Sequence, residues 1–132
     1  MAEAFALKII TPERTFYKGE ATFVEFTSEN GEVGVYKHHE PMTMLLSPGV
    51  LTIHEEGGIK KAALHAGFAE ITDDAVYILA QIAEWPEEID RNRAEQAKIR
   101  AERRLQENGS NRLDELALRR AIARIEALKN TI

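Results

Sequence analysis

Four arginines in the last third of the sequence have the type and spacing expected of an anion-binding site. Arg93 and Arg100 are seven residues apart, so on a helix their side chains point within about 20° of each other. Arg120 and Arg124 are one helical turn apart. If the two segments fold together, the four guanidinium groups can bind one anion through charge-assisted hydrogen bonds. The alternative, which the pattern alone favours, is a solvated helix face whose charges pair with acidic neighbours such as Glu95.

Other polar residues add one candidate ligand contact and no catalytic or metal-binding pattern. Asp90 lies one turn before Arg93, where it can orient that arginine or accept a hydrogen bond from a sugar or a base. The adjacent His38 and His39 lack the HxH or HxxxH spacing of a metal site, so the histidines are expected in loops or the core. No nucleophile elbow, Walker loop or paired-carboxylate signature occurs. We therefore expect no enzymatic activity, no metal and no required cofactor.

Length and composition exclude several classes of protein. The chain has 132 residues, enough for one modest core with a small additional element. The net charge of -5 and the lack of a basic patch in the first 85 residues argue against nucleic-acid binding. The sequence has no cysteine, no secretory signal and no apolar run near the length of a membrane span. We expect no direct membrane insertion, so any membrane association goes through a partner.

The sequence changes character at Trp85-Pro86, and this change divides it into a predicted β body, residues 1–85, and a predicted helical hairpin, residues 86–132. In the β body, short runs alternate apolar and polar residues between turn residues, which is typical of half-buried antiparallel strands. Asn30-Gly31 is a strong hairpin signal. The pattern predicts a mainly β sandwich or flattened barrel. The predicted strands are 5–10, 22–27, 33–36, 42–46, 50–54, 59–65, 68–71 and 75–82.

The second part predicts two antiparallel helices. The first begins at Pro86, which suits an initial helical turn, and ends near Gln106. The second is capped by Asn111 or Ser110 and runs to about Lys129. The short connection makes the helices antiparallel neighbours. Their contact is rich in alanine, so it buries little area and is expected to be weak. The predicted contact residues are Ala94, Ala97, Ala101, Leu105, Leu118, Ala121, Ile122, Ile125 and Leu128.

Three segments of the sequence carry motifs of a known protein family. Residues 28–36 and the following His39-Glu40-Pro41 match a "GE-G-hydrophobic" hairpin and an "HxP" loop. Residues 65–70 match a strand of pattern "SGGFLEV", and residues 89–94 match "(I/L)DxxRA". Taken in order and at this spacing, the chain resembles the epsilon subunit of bacterial rotary ATP synthases over essentially its full length. His38 and Ala66 depart from the family pattern, which usually has glycine at these positions.

The resemblance implies a non-catalytic central-stalk subunit of a proton- or sodium-translocating ATP synthase, at the cytoplasmic face of the bacterial plasma membrane. It implies an N-terminal β-sandwich and a C-terminal hairpin. The implied partners are the gamma subunit, the polar loops of the c-ring and, when the hairpin extends, the alpha/beta catalytic head. Glu32 and His39 match the contact to the c-ring or gamma, and both are expected in exposed loops at one end of the sandwich.

The resemblance also implies a regulatory role for ATP. In relatives, the extended hairpin blocks ATP hydrolysis, and in several bacilli ATP binds the folded-down hairpin. Whether ATP would bind here with Mg²⁺ stays open. Two alternatives also remain: a purely structural coupling subunit without nucleotide sensing, and an unrelated β-sandwich adaptor with a partner-binding hairpin. The positions that match the ATP site are Glu84, Ile89, Asp90, Arg93, Ala94, Arg100, Arg120 and Arg124.

Overall fold

The computed structural model describes residues 2–129, and the remainder of the predicted hairpin, residues 130–132, lies outside the described residues. Within this range, eight strands precede a short 3-10 helix, Pro86–Glu88, and two α-helices. The strands are β1 (Phe5–Ile10), β2 (Thr15–Ala21), β3 (Phe23–Ser28), β4 (Gly31–Val35), β5 (Met42–Leu45), β6 (Gly49–Glu55), β7 (Gly58–Ile71) and β8 (Ala75–Glu84). The helices are α1 (Arg91–Asn108) and α2 (Arg112–Leu128).

The strands form a sheet that folds over on itself. Their order is β2-β1-β8-β7-β6-β3-β4, with β5 paired to β7. The first part of β7 pairs with β6 and its last part with β5, so this long strand belongs to both layers. Tyr17 on β2 donates a hydrogen bond to Glu55 on β6, which shows that distant strands of the order approach each other. The predicted β-sandwich followed by a two-helix hairpin is confirmed.

The hydrophobic core lies between the two layers. Alternate residues of β1, namely Phe5, Leu7 and Ile9, point into it, as the period of two along a strand requires. Trp85 packs at its edge, where its ring stacks on Phe16 with centroids 4.2 Å apart. The buried members of this core cluster all belong to the β body and none to the helices.

Three features of the sheet differ from the sequence prediction. The pattern misses β2 because Phe16 and Tyr17 are both buried, which interrupts the alternation. The predicted strands 59–65 and 68–71 are one strand, because the register with β8 is the same on both sides of residues 66 and 67. The strand is locally irregular there, since Ala66 and Gly67 have positive φ. Strand β1 pairs with β8 in parallel rather than antiparallel. A parallel pair requires a long connection between its strands, and the six strands between β1 and β8 provide one.

The first α-helix begins later than predicted. Pro86 opens the 3-10 helix, and Ile89 is extended, so α1 starts at Arg91. Asp90 is its N-cap: the carboxylate accepts a hydrogen bond from the backbone N–H of Arg93 at 3.1 Å. Asp90 therefore satisfies one of the unpaired N–H groups at the start of the helix.

The second helix lies against both α1 and the sandwich. It contacts β6 and β7 on one side and α1 on the other, and Asn111 caps it as predicted. The predicted contact residues are partly wrong, since Ile122 is 39% exposed. The prediction assumes that α2 buries one apolar face. Because α2 contacts both α1 and the sandwich, it buries two faces. Within the described residues, neither helix is long and apolar enough to cross a membrane. The buried helical residues are Ala94, Ala101, Ala121, Ala123 and Ala127.

Candidate functional site

A cluster of polar side chains joins the hairpin to the sandwich. Glu84, the last residue of β8, accepts a hydrogen bond from Arg124 on α2, with 2.7 Å between Nε and Oε1. The same carboxylate oxygen lies 3.1 Å from Nε2 of His65 on β7. The side chains of Glu84 and Arg124 are 24% and 27% exposed, whereas that of His65 is 1% exposed. The charge pair thus sits at the boundary with solvent, and the imidazole lies beneath it.

The register of the sheet explains why His65 meets Glu84. Ala63 is paired with Glu84 across β7 and β8, and His65, two residues further along, points to the same face. The core residues Ala62 and Leu64 point to the opposite face. Both Ala63 and His65 are nevertheless buried, because α2 packs on β7. The sequence predicts His65 in a loop or the core and does not indicate this contact; the signal it offers is a lone histidine within an apolar strand.

The electrostatics of Glu84 reflect two opposing effects. Burial raises the pKa of its carboxyl group, but the hydrogen bonds from His65 and Arg124 outweigh burial and hold the pKa below its ordinary value. Glu84 is therefore ionised at neutral pH. An ionised carboxylate only accepts hydrogen bonds, so Nε2 of His65 carries the proton between them.

Two buried nitrogen atoms near this boundary have no hydrogen-bond partner within residues 2–129: Nδ1 of His65 and Nε of Arg120. A buried polar group without a partner costs about 1–3 kcal/mol. The Nε–H of Arg120 is therefore a donor whose hydrogen bond is unmet among the described residues.

The remaining residues of the predicted ATP site lie on or beside α1. Arg93 and Arg100 are exposed, Ile89 is half-buried and Ala94 is buried. Arg100 and Arg120 are equally distant from the turn between the helices, so antiparallel packing brings their segments side by side. The structure joins Glu84 directly to Arg124, uses Asp90 to cap α1, and leaves the side chains of Arg93 and Arg100 on the exposed face.

Glu32 lies on a strand rather than in a loop, so the expectation of two exposed loops is wrong for this residue. Glu32 belongs to β4, close to the β3–β4 turn, and accepts a hydrogen bond from the Thr27 hydroxyl at 3.1 Å. His39 follows the other end of β4, with Nδ1 2.8 Å from the carbonyl oxygen of Glu40. Since a strand extends about 3.3 Å per residue, the length of β4 separates them. The turn is at residues 29 and 30, so the chain has already entered the strand at Glu32.

The two departures from the glycine pattern occur where glycine would be unstrained. His38 has φ of 69° and Ala66 has φ of 40°, both in the left-handed region. His38 is fixed there by its own contacts: Nδ1 lies 3.2 Å from the Asp73 carboxylate and Nε2 lies 3.2 Å from Glu3. The backbone geometry that favours glycine is therefore retained although the side chains differ.

Two family models together match almost the whole chain. The model of the ATP synthase delta/epsilon chain β-sandwich domain matches residues 4–86. The model of the ATP synthase delta/epsilon chain long α-helix domain matches residues 87–129. The chain belongs to the ATP synthase delta/epsilon chain family. The two models meet within the 3-10 helix that separates β8 from α1.

Individual relatives agree with this assignment. The chain is 46% identical to an ATP synthase epsilon chain of Ruminiclostridium cellulolyticum, covering 93% of this chain and 94% of the relative. It is 43% identical to the epsilon chain of Desulfitobacterium hafniense, covering 98% and 100%. Its fold is similar to a chain in the Euglena gracilis mitochondrial ATP synthase OSCP/F1/c-ring structure, with a TM-score of 0.76, 24% identity and coverage of 98% and 82%. The resemblance found in the sequence is confirmed, and the chain is a non-catalytic ATP synthase subunit of the epsilon type.

Proposed function

We propose that the chain works in the central stalk of ATP synthase and regulates ATP hydrolysis through a hairpin that senses ATP. The observation that carries the nucleotide proposal is the buried, unpaired Nε of Arg120, one turn from Arg124 on the face of α2 near Glu84. Buried donors of this kind are rare in proteins unless a ligand or water satisfies them. ATP is the proposed ligand because its triphosphate carries several acceptor oxygens and a high negative charge.

Charge supports a hairpin that opens and closes. In the proposed site, the side chains of Arg93, Arg100, Arg120 and Arg124 would turn towards one ligand, and without it their like charges would repel one another. A triphosphate would neutralise them through charge-assisted hydrogen bonds, so ATP favours the closed form according to its differential affinity. The small buried alanines provide little apolar attraction. A hairpin without ATP is therefore held mainly by polar contacts, and it can extend towards the catalytic head when those contacts break.

The proposed partners follow from family membership. The sandwich would bind the gamma subunit and the c-ring, with Glu32 and His39 as candidate contact residues, and the extended hairpin would contact the alpha/beta head. Since Glu32 lies near the start of β4 and His39 lies in the loop that follows its end, we propose that they contact different surfaces of the stalk. The proposed location is the cytoplasmic face of the bacterial plasma membrane, as a peripheral subunit.

Titration of ATP into the full chain, followed by calorimetry with and without Mg²⁺, tests the sensor. We expect binding, and Arg120→Ala should weaken it about ten- to hundredfold, since a hydrogen bond to a charged group contributes about 1.5–3 kcal/mol. Arg119→Ala is the matched control because it removes an exposed arginine from the same helix. An absence of heat and of any thermal shift at millimolar ATP would contradict ATP sensing.

One observation favours a second candidate function, a structural coupling subunit without nucleotide sensing. Arg124 already has an anionic partner in Glu84, so this arginine does not need a ligand. A coupling subunit predicts that the full chain and a chain ending at Trp85 affect ATP hydrolysis by the cognate catalytic complex equally. The sensor predicts stronger inhibition by the full chain, most clearly at low ATP.

A further inference from the structure

We propose that His65, Glu84 and Arg124 form a latch that holds the folded-down hairpin on the sandwich before any nucleotide binds, with His65 as the positioning residue. The proposal adds a regulatory element to the proposed function, and it rests on that function only in assuming that the hairpin can leave the sandwich. The three side chains contact one another directly, since Nε2 of His65 and Nε of Arg124 both reach Oε1 of Glu84.

The position of the Glu84–Arg124 ion pair makes it suited to this role. It is the only side-chain ion pair between the helices α1 and α2 and the strands among the described residues. Glu84 closes β8, next to the covalent connection at residues 85–90, whereas Arg124 lies well along α2. The bond therefore fixes the second helix of the hairpin to the end of the sandwich from which the connection starts. Separation of α2 from β7 must break it.

Packing of α2 leaves room for a polar contact to contribute to docking. The fully buried residues of α2 are three alanines, Ala121, Ala123 and Ala127, and its larger apolar side chains, such as Leu118 and Ile125, are only half-buried. Alanine buries little apolar area compared with leucine or isoleucine. Glu84 and Arg124 are each about three-quarters buried. Removing one of them leaves the other partly desolvated without a partner, which penalises the docked state further.

The surroundings of His65 indicate why it positions Glu84. The imidazole is buried on the face of β7 that α2 covers, and Glu84 is its hydrogen-bond partner within residues 2–129. Glu84 has three rotatable side-chain bonds, and the fixed Nε2–H of His65 restrains its Oε1 atom where Arg124 reaches it. A residue that only filled space here would not need a polar atom aimed at the carboxylate.

The latch is compatible with the proposed nucleotide site. The bond from Arg124 uses Nε, which leaves the two terminal NH₂ groups of the guanidinium available for a phosphate. An arginine already held by Glu84 loses less side-chain freedom when the ligand arrives. The latch would therefore set the resting position of the hairpin, and ATP would strengthen it.

Distance measurements between spin labels test the latch in nucleotide-free protein. The chain has no cysteine, so Lys18→Cys on β2 and Glu102→Cys on α1 provide two exposed labelling sites. Apyrase treatment removes residual nucleotide. We expect one narrow distance distribution for the parent, and broad or longer distances for Arg124→Gln and Glu84→Gln. The double variant, Arg124→Gln with Glu84→Gln, should give the same distance distribution as either single variant, because each single change already breaks the Glu84–Arg124 bond.

Two variants of His65 separate positioning from space filling. His65→Gln keeps an N–H donor at a similar reach and should retain the narrow distribution, whereas His65→Leu keeps the apolar volume without the donor and should release the hairpin. Arg14→Gln is the matched control, since it breaks an ion pair of the same 2.7 Å length, to Glu88, outside the helices α1 and α2. Circular dichroism of each variant checks that the sandwich is folded.

A narrow distribution in Arg124→Gln would overturn the latch. Equal behaviour of His65→Gln and His65→Leu, or release by Arg14→Gln as well, would overturn the positioning role. These measurements are made without nucleotide, so their outcome does not depend on whether ATP binds. In the same way, a result that contradicts the latch does not decide the result of the ATP titration.

Discussion

At the scale of single residues, Glu84 shows how burial and hydrogen bonding together decide whether a carboxyl group is ionised. Burial alone favours a neutral carboxyl, yet the bonds from His65 and Arg124 keep it ionised and lower its pKa. A carboxylate whose pKa is depressed on folding stabilises the folded state above its unfolded pKa, and this stabilisation is lost as the pH falls through the lower folded value.

The first prediction follows from this pKa. Glu84→Gln should lower the free energy of unfolding by about 1–2 kcal/mol near pH 7, because it removes the charged partner of Arg124. The difference from the parent should shrink below the ordinary carboxyl pKa of 4.5. Urea unfolding of both proteins between pH 7 and pH 3 measures it, and Glu3 and Glu88 contribute equally to both curves. A difference independent of pH would contradict the role of the ionised form.

The second prediction concerns backbone strain at Ala66, whose φ is 40°. Ala66→Gly should stabilise the protein by about 0.5 kcal/mol, because it removes a left-handed penalty of about 1–2 kcal/mol and adds a smaller cost in chain entropy. Thermal unfolding measures the change. The matched control is Ala69→Gly, a fully buried position of the same strand without positive φ, which should destabilise. A loss of stability in both variants would show that Ala66 is not strained.

At the scale of elements, each of the two α-helices begins at a short polar cap. Asp90 caps α1, and Asn111 caps α2 by accepting a hydrogen bond from the backbone N–H of Asp114 at 3.0 Å. Their buried residues are alanines, which let the helices approach closely but contribute little apolar area. The hairpin is therefore the element whose position polar contacts can control.

The third prediction separates the two roles of Asp90. Asp90→Ala should destabilise α1 by about 1 kcal/mol because it removes the N-cap, whereas Asp90→Ser should keep most of that stability. Helical circular dichroism during thermal unfolding measures the cap, and ATP titration of both variants measures the proposed ligand contact. If Asp90→Ser binds ATP as the parent does, Asp90 acts as a cap alone.

At the scale of the whole molecule, the β body carries its own core and the hairpin is an addition to it. The buried core cluster lies within residues 5–83, with Trp85 packed at its edge. The hairpin covers a second face of β7, where it buries Ala63 and His65. Removal of the hairpin would thus expose a limited surface and leave the core of the sandwich intact.

The fourth prediction is that the β body folds alone. A chain ending at Trp85 should retain β-type circular dichroism and unfold cooperatively, with lower stability than the full chain because His65 becomes exposed. Ending at Glu84 should cost further stability, since it removes the ring that stacks on Phe16. A disordered product ending at Trp85 would show that the helices complete the core.

The sequence by itself determined the features that depend on neighbouring residues. Each of these features is formed by residues that are close together in the sequence. Examples are the alternation along β1, the turn at Asn30-Gly31 and the helix cap at Asn111. The change at Trp85-Pro86 marked the junction for the same reason, because turn chemistry and helix propensity are local. The three motifs, in order along the chain, identified the family.

Only the tertiary structure decided which distant residues meet. The parallel pairing of β1 with β8 and the contact of His65 with Glu84 join segments that lie far apart in sequence. The bond from Arg124 to Glu84 spans 40 residues. Such contacts depend on how α2 lies across β7 and on the register of β7 with β8, which no local pattern encodes. For that reason the arginines were visible in the sequence, while the histidine beneath them was not.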